Sequence, residues 1–430
     1  MTRQPSPDYR SNSGWNTMLP AREPNGPLFD HQEVDVVVVG AGFTGIACAK
    51  RWAELAPDCR IAIVDASDIG EGNPGRNSGF LLDVALAEDA DPANTKRMAQ
   101  CNELTRNAMQ TIVEDVARSG LAVELERAGT YRAAAGHVGM QALSNYQAFL
   151  KSADLPFREL DRAQLKDELG TDFYQAGLYS PDCYLAQPAA VIRALAATIP
   201  DSINIFERSP VVQINPVSKG WQVVTSQGSL TCTDLVLANN SFIAGLGVAR
   251  PNLASVYTYA ALTEPLSASA LGSLGSVRNW GLLPTHRLGS TLRLTTDGRL
   301  LIRSLHDLEK EQDEHRVREA LSTRLKRRFP QLGEFRFDYI WGGAVGFTYN
   351  GGLVWGGRQP GLWVSGGCNG GGTVKGTMLG RLLADKANGK TVPDVEGLFG
   401  TASWMPPDPI RGLGFQLTSA WQSWQGRDEL

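Results

Sequence analysis

Apolar residues along this chain follow two rhythms. Continuous short runs, Val36-Val-Val-Val39, Ile61-Ala-Ile-Val64, Leu235-Val-Leu-Ala238 and Leu362-Trp-Val364, read as strands buried on both faces. By contrast, Val256-Tyr-Thr-Tyr-Ala260 and Ser290-Thr-Leu-Arg-Leu-Thr295 repeat every two residues and predict a separate antiparallel sheet within 255–304. Helical periodicity is strongest over 94–119, where Met98, Cys101, Leu104, Ala108, Ile112, Val113 and Val116 share a face and Gly120 ends the run. Shorter helices are predicted over 44–56, stopped by Pro57, over 188–199, opened by Pro188, and from Thr373 to Asp385. Residues 306–328 read as a charged, solvated helix, Gly129–Ala133 as a strand of the second sheet, and 208–214 with 221–225 as β-rich.

The first apolar run ends in Gly40-Ala-Gly42-Phe43-Thr44-Gly45, a helix follows, and the next strand ends at Asp65-Ala66. Each glycine has a physical task there: Gly40 turns the chain, Gly42 lets a pyrophosphate reach backbone N–H groups at a helix N-terminus, and Gly45 lets helix pack on strand. Asp65 stands where a carboxylate accepts hydrogen bonds from a ribose diol. The glycine triplet alone is weak in a chain with 46 glycines; the ordered strand, turn, helix, strand and carboxylate carry the dinucleotide assignment. After Asp65 the chain enters a polar, glycine-rich loop through Gly75-Arg76-Asn77-Ser78-Gly79, where an NAD-binding chain would more usually continue into a helix. Such a loop offers backbone donors and a cation to a flat electron-accepting ring, and a plain surface loop is its bland alternative.

These segments resemble the FAD-dependent oxidoreductases of the D-amino-acid-oxidase type, among them gamma-glutamylputrescine-oxidising and other amine-oxidising members. The resemblance spans about 30–400. It rests on Gly40–Gly45, Gly75–Gly79, Phe329-Pro-Gln-Leu332, Trp341, Gly366-Gly-Cys-Asn-Gly-Gly-Gly-Thr373 and Gly380–Asp385. It implies an α/β fold in which a glutathione-reductase-type, Rossmann-like FAD domain is interleaved with an antiparallel-sheet substrate domain. The expected division is an N-terminal arm (1–33), an FAD domain (34–125, 185–245 and 345–400), a substrate domain (126–184 and 246–344) and a C-terminal tail (401–430). The resemblance also implies that Val212 flanks the adenine through its backbone. Ala238, Asn239, Gly367, Asn369, Gly370, Gly371, Gly372 and Thr373 then join the two glycine loops around the cofactor. In the C-terminal turn, the helix opened by Thr373 would face the flavin edge where reduction leaves negative charge.

Three departures sharpen the expected chemistry. Gly371 stands where many relatives carry a histidine. Thr348 stands near the place where relatives that oxidise α-amino acids hold a carboxylate-gripping arginine, which favours an amine without an adjacent carboxylate. No cysteine lies where relatives attach flavin covalently, so the FAD is expected to be non-covalent. Arg293, Trp341 and Tyr349 are the candidate substrate-site residues, Arg293 for an anionic tail; Tyr257, Tyr259 and Phe347 are further candidate walls. Plain core packing serves these aromatics equally well. His286 as a pocket base competes with a surface histidine, and Lys375 as an aid to oxygen rests on position alone.

Composition narrows the field further. With 430 residues, 42% hydrophobic, the chain can bury a large core. A net charge of −4, spread evenly, offers no basic stripe for nucleic acid, no apolar run reaches membrane-span length, and residues 1–33 lack a secretory h-region. Six scattered cysteines without C-x-x-C pairs argue against a metal site or disulfide framework and suit a cytoplasmic protein. The expected partners are a small amine, oxygen or an electron carrier, and a possible second copy. Three functions stay open: FAD-dependent oxidation of an amine, including N-methyl or other amino acids; flavin hydroxylation, whose Gly-Asp pair is missing at Ser365-Gly366-Gly367; and a flavin-holding assembly subunit docked through its arm.

Overall fold

The computed structural model describes residues 3–84 and 93–430, so part of the expected 34–125 segment lies outside the described residues. The valine run forms the strand Val36–Val39, one of the central strands of a six-stranded sheet. In spatial order the strands are Ile203–Phe206, Ile61–Val64, Val36–Val39, Asp234–Leu237, Leu362–Gly366 and Val354–Gln359. The first five pair in parallel and the last is antiparallel. The uninterrupted apolar character has a direct cause. Val36 and Val38 pack toward the helices Phe43–Leu55, Thr95–Ser119 and Val374–Ala387, while Val37 and Val39 pack against Trp221, Val223 and Leu230 of a smaller four-stranded sheet. Residues 211–232 build that smaller sheet, with His31–Glu33 added at its edge.

Capping chemistry sets the long helix as expected: Asn94 accepts from the Arg97 amide at 3.1 Å, and Gly120 (φ +68°) closes the C-terminus.

The period-2 segments fall in an eight-stranded sheet that is larger than the expected one. Its order is Phe337–Phe347, Ala254–Thr263, Leu300–Leu308, Thr291–Leu294, Trp280–Pro284, Thr130–Ala134, Ala176–Ser180 and Arg158–Asp161. All neighbours are antiparallel except Trp280–Pro284 with Thr130–Ala134. The charged helix begins at Glu314, not at 306, because His306 is held in strand Leu300–Leu308 by pairing with Ala254–Thr263, and Asp313 supplies the N-cap. Nor is that helix wholly solvated; Val317, Leu321 and Leu325 lie buried against the sheet.

Both termini are docked on the body. In the arm, Arg3 donates to Leu253 O at 2.8 Å, Asn239 donates to Pro5 O at 3.2 Å, and Trp15 packs edge-on against Trp341 with ring centroids 6.1 Å apart. The tail carries the helix Ile410–Gln425. Arg411 ties one end to Glu309 at 2.9 Å, Glu429 ties the other to the Ala135 and Gly136 amides, and Leu413, Leu417, Trp421 and Trp424 remain exposed. No helix among the described residues is long and apolar enough to cross a membrane.

Candidate active site

A cavity of about 280 Å³ runs from the C-terminal ends of the parallel strands to the eight-stranded sheet. Gly40, Gly42, Phe43, Thr44, Asp65, Ala66 and Ala238 line one part, and Leu283, Thr258, Thr291 and Arg303 the other. At the dinucleotide end, Gly40 has φ +104°, and a Cβ on Gly45 would lie 1.8 Å from the Gly40 carbonyl oxygen. No side chain fits between turn and helix. Asp65 accepts from the Ala41 amide at 2.7 Å and from the Ser67 amide at 2.9 Å, joining the second strand to the glycine turn. Burial pushes its carboxyl above the usual range.

The loop over 73–79 reaches the same cavity through Asn73, Arg76, Asn77 and Ser78. Arg76, however, spends its guanidinium on carbonyls: Glu71 O at 2.6 Å, Gly342 O at 2.9 Å and Ser11 O at 2.8 Å. Its charge stands in the wall while its donors brace loop, sheet and arm. Asn77 likewise closes its own turn, donating to Pro74 O at 2.7 Å and accepting from the Gly79 amide at 2.8 Å. Gly75 and Gly79 lie behind the wall, where a Cβ would sit within about 2 Å of Gly70 O and Ala186 O respectively.

At the C-terminal turn, Cys368, Gly370, Gly372, Thr373 and Gly376 line the cavity. Gly367, Asn369 and Gly371 do not line it. The Asn369 side chain accepts from the Thr348 amide at 3.0 Å and donates to Gly351 O and Gly367 O at 2.8 Å, clipping the turn to the 348–352 loop. Gly376 and Gly380 admit Thr44 against their backbone, so the starts of helices Phe43–Leu55 and Val374–Ala387 meet at the cavity. Two positive helix ends therefore converge there.

Several expected site residues lie elsewhere. Arg293 is 1% exposed, donates to Ala186 O and Ser78 O, and sits over the Trp15 ring at 5.5 Å. Trp341 is 1% exposed and donates to Arg76 O at 3.0 Å, while Tyr349 is 79% exposed; none of the three lines the cavity. On the strand Val211–Val217 it is Val211 that lines the cavity, with Val212 half exposed, because successive residues face opposite ways. Thr348 is buried outside the cavity, its hydroxyl donating to Gly352 O at 2.7 Å. His286 is buried rather than on the surface, and it lies outside the cavity wall.

Sequence reasoning missed Arg303 and the arm. Pro5, Ser6, Pro7 and Tyr9 line the cavity; the Tyr9 ring lies 3.7 Å from the Arg76 guanidinium and its hydroxyl donates to Asn73. Nothing in the arm's polar composition signals this placement. Arg303 had one available signal, the period-2 parity of its strand.

The family model of FAD-dependent oxidoreductases (DAO) matches residues 35–386. The chain belongs to this family. Among curated relatives, the gamma-glutamylputrescine oxidoreductase of Escherichia coli is 25% identical over 365 residues, covering 83% of this chain and 84% of the relative. An oxidoreductase named OrdL from Haemophilus influenzae is 25% identical over 374 residues, covering 84% of each chain. Among solved structures, glycine oxidase from Geobacillus kaustophilus superposes with a TM-score of 0.74 at 19% identity, covering 87% of this chain and all of that one. L-Proline dehydrogenase from P. horikoshii gives 0.68 at 16%, covering 88% and 98%. The fold is thus that of the family, and the cofactor is FAD. The cavity fits it on independent grounds: the Ser78 hydroxyl and the Asn239 side-chain oxygen are buried in its wall without a partner among the described residues, as groups awaiting a polar ligand are.

Proposed function

We propose that this FAD-dependent oxidoreductase oxidises the C–N bond of a small primary or secondary amine, of the polyamine or gamma-glutamyl-amine type. The imine released hydrolyses in water to an aldehyde and an amine. FAD, when bound, supplies the hydride acceptor. The backbone around Gly40, Gly42 and Thr44 would hold its pyrophosphate, Asp65 its ribose, and the Ser78 and Asn239 oxygens its remaining polar edge.

The observation that carries the proposal is the chemistry of the cavity wall. Its titratable side chains are Tyr9, Asp65, Arg76, Arg303 and Cys368, with no histidine or lysine among them. Burial pushes the Tyr9 hydroxyl up, so it stays protonated, and Asp65 lies at the dinucleotide end. Among the described residues, no histidine or lysine lines the cavity to take a proton from the substrate. What suits such a site is an amine that has already lost its proton to water and then gives up hydride from carbon as nitrogen forms the C=N bond. The role of the wall is to orient the substrate, exclude water and stabilise charge.

Thr348 supports an amine without a carboxylate on the reacting carbon, since its hydroxyl is spent on Gly352 and no cation reaches the cavity from that loop. An anaerobic panel of polyamines, N-methyl amines, ω-amino acids, gamma-glutamyl amines and α-amino acids tests this through flavin bleaching. Bleaching by amines without an α-carboxylate is expected. Bleaching by α-amino acids alone would overturn it, and a yellow protein bleached by none would favour a flavin-holding subunit.

A further inference from the structure

We infer that Arg303 is the binding point for a carboxylate carried on the substrate, so that the amine oxidised is an anionic one. The inference rests on the amine-oxidation reading for its substrate and on the following geometry for the site itself.

Arg303 lies on strand Leu300–Leu308 and lines the cavity together with Thr258, to whose hydroxyl its Nε donates at 3.0 Å. Two buried arginines, Arg76 and Arg328, have every guanidinium nitrogen bound by protein, whereas Arg132, Arg293 and Arg411 each keep a buried nitrogen without a partner among the described residues. Arg76 has three carbonyls, and Arg328 has the Tyr174 hydroxyl with the Arg324 and Glu429 carbonyls. For the two terminal nitrogens of Arg303 there is no acceptor, and no paired carboxylate, among the described residues. Burial holds its pKa below the ordinary arginine range, yet a guanidinium remains charged at neutral pH.

Among the described residues, the Cys368 thiol is the one acidic group that acts on it. His306, on the same strand, is held near 3 by burial and by Arg303, Arg324, Arg287 and His286, so it is neutral at pH 7. Desolvating an unpaired cation is strongly unfavourable, and the remaining source of counter-charge is a ligand in the cavity. Arg303 and Thr258 belong to the eight-stranded sheet, whereas the glycine turns and helix ends that suit the cofactor come from the parallel-sheet side. A planar fork with two free donors matches a carboxylate. The anion thus enters from the sheet, as a carboxylate carried away from the reacting carbon.

The test uses the FAD-loaded full chain and the variants Arg303→Met, Arg303→Gln and Arg303→Lys, with FAD content and melting temperature as folding controls. Butyrate and glutarate, titrated against the flavin absorbance spectrum, report binding without turnover; butyramide is the neutral probe. The expected result is a rise of at least about thirtyfold in the carboxylate Kd for Met and Gln, a smaller rise for Lys, and an unchanged butyramide Kd. KM should rise in parallel for carboxylate-bearing amines and stay level for uncharged amines of equal length. Equal carboxylate binding by wild type and Arg303→Met overturns the proposal. So does equal loss of butyrate and butyramide, or a change in sulfite affinity of the flavin with charge discrimination intact, which would assign Arg303 to the cofactor. If carboxylates bind through Arg303 but no amine bleaches the flavin, the anion site stands and the amine-oxidation reading falls.

Discussion

Replacing Gly45 by alanine tests the claim that contact between strand, turn and helix creates the cofactor site. The added Cβ would lie 1.8 Å from Gly40 O, 3.1 Å from the carbonyl carbon and 3.3 Å from a Val38 methyl. Ordinary contact begins near 3.4 Å, so turn and helix must separate by about 1.6 Å. The obstacle is backbone, so no rotamer change relieves it. Core overpacking costs about 1–3 kcal/mol, and a clash with a fixed carbonyl belongs at the upper end, about 3 kcal/mol. Separation also draws the Phe43–Leu55 N-terminus away from the cavity, and a loss of about 1.4 kcal/mol there raises the FAD Kd tenfold. The assay is bound flavin per chain after dialysis, with thermal melts of the dialysed protein. The control is Gly26→Ala, where nothing lies within 4 Å of the added Cβ, and its effect should stay within about 0.5 kcal/mol. A Gly45→Ala protein with wild-type flavin content and a melting temperature within about 1 °C of wild type would refute the reasoning.

Tyr9→Ala removes a ring 3.7 Å from the Arg76 guanidinium and a hydroxyl bound to Asn73, so FAD affinity should fall about tenfold by equilibrium titration, from a cation–π contact worth about 1–2 kcal/mol. Arg293→Met leaves the Ala186 and Ser78 carbonyls without their donor and should lower stability by about 1–3 kcal/mol in urea unfolding; charge preference among substrates should not change. His306 has a folded pKa near 3, below its unfolded value of about 6.5, so above 6.5 its contribution to stability is fully present. As pH falls from about 6.5 to 3 the unfolded chain takes up a proton that the folded one refuses, and stability drops by about 1.4 kcal/mol per unit. His306→Gln should remove that part of the slope, measured as the difference between the two proteins at pH 6 and pH 4.5; identical slopes would show that the buried imidazole protonates normally.

The glycine turn, both flanking strands, the long helix ended by Gly120 and the Thr373 helix start were all legible in the chain, because each is set by neighbours within a few residues. Loops and termini were less so. Asn369 is a clip and Arg76 a brace because their partners come from Gly351, Gly342 and Ser11, contacts that no local spacing encodes.

The two sheet arginines mark the division most clearly. Strand parity, a local property, puts Thr291 and Arg293 on one face, and Arg303 pairs opposite Thr291 in the ladder. Which end of that face stays open is decided by segments distant in sequence. The 77–79 turn, Ala186 and Trp15 from the arm cover Arg293, while Thr291 and Arg303 are left facing the cavity. From the sequence alone came the nucleotide-binding strands, their turns and the FAD family; tertiary packing alone determined which sheet cation faces the cavity, because burial depends on what the rest of the chain lays over a residue.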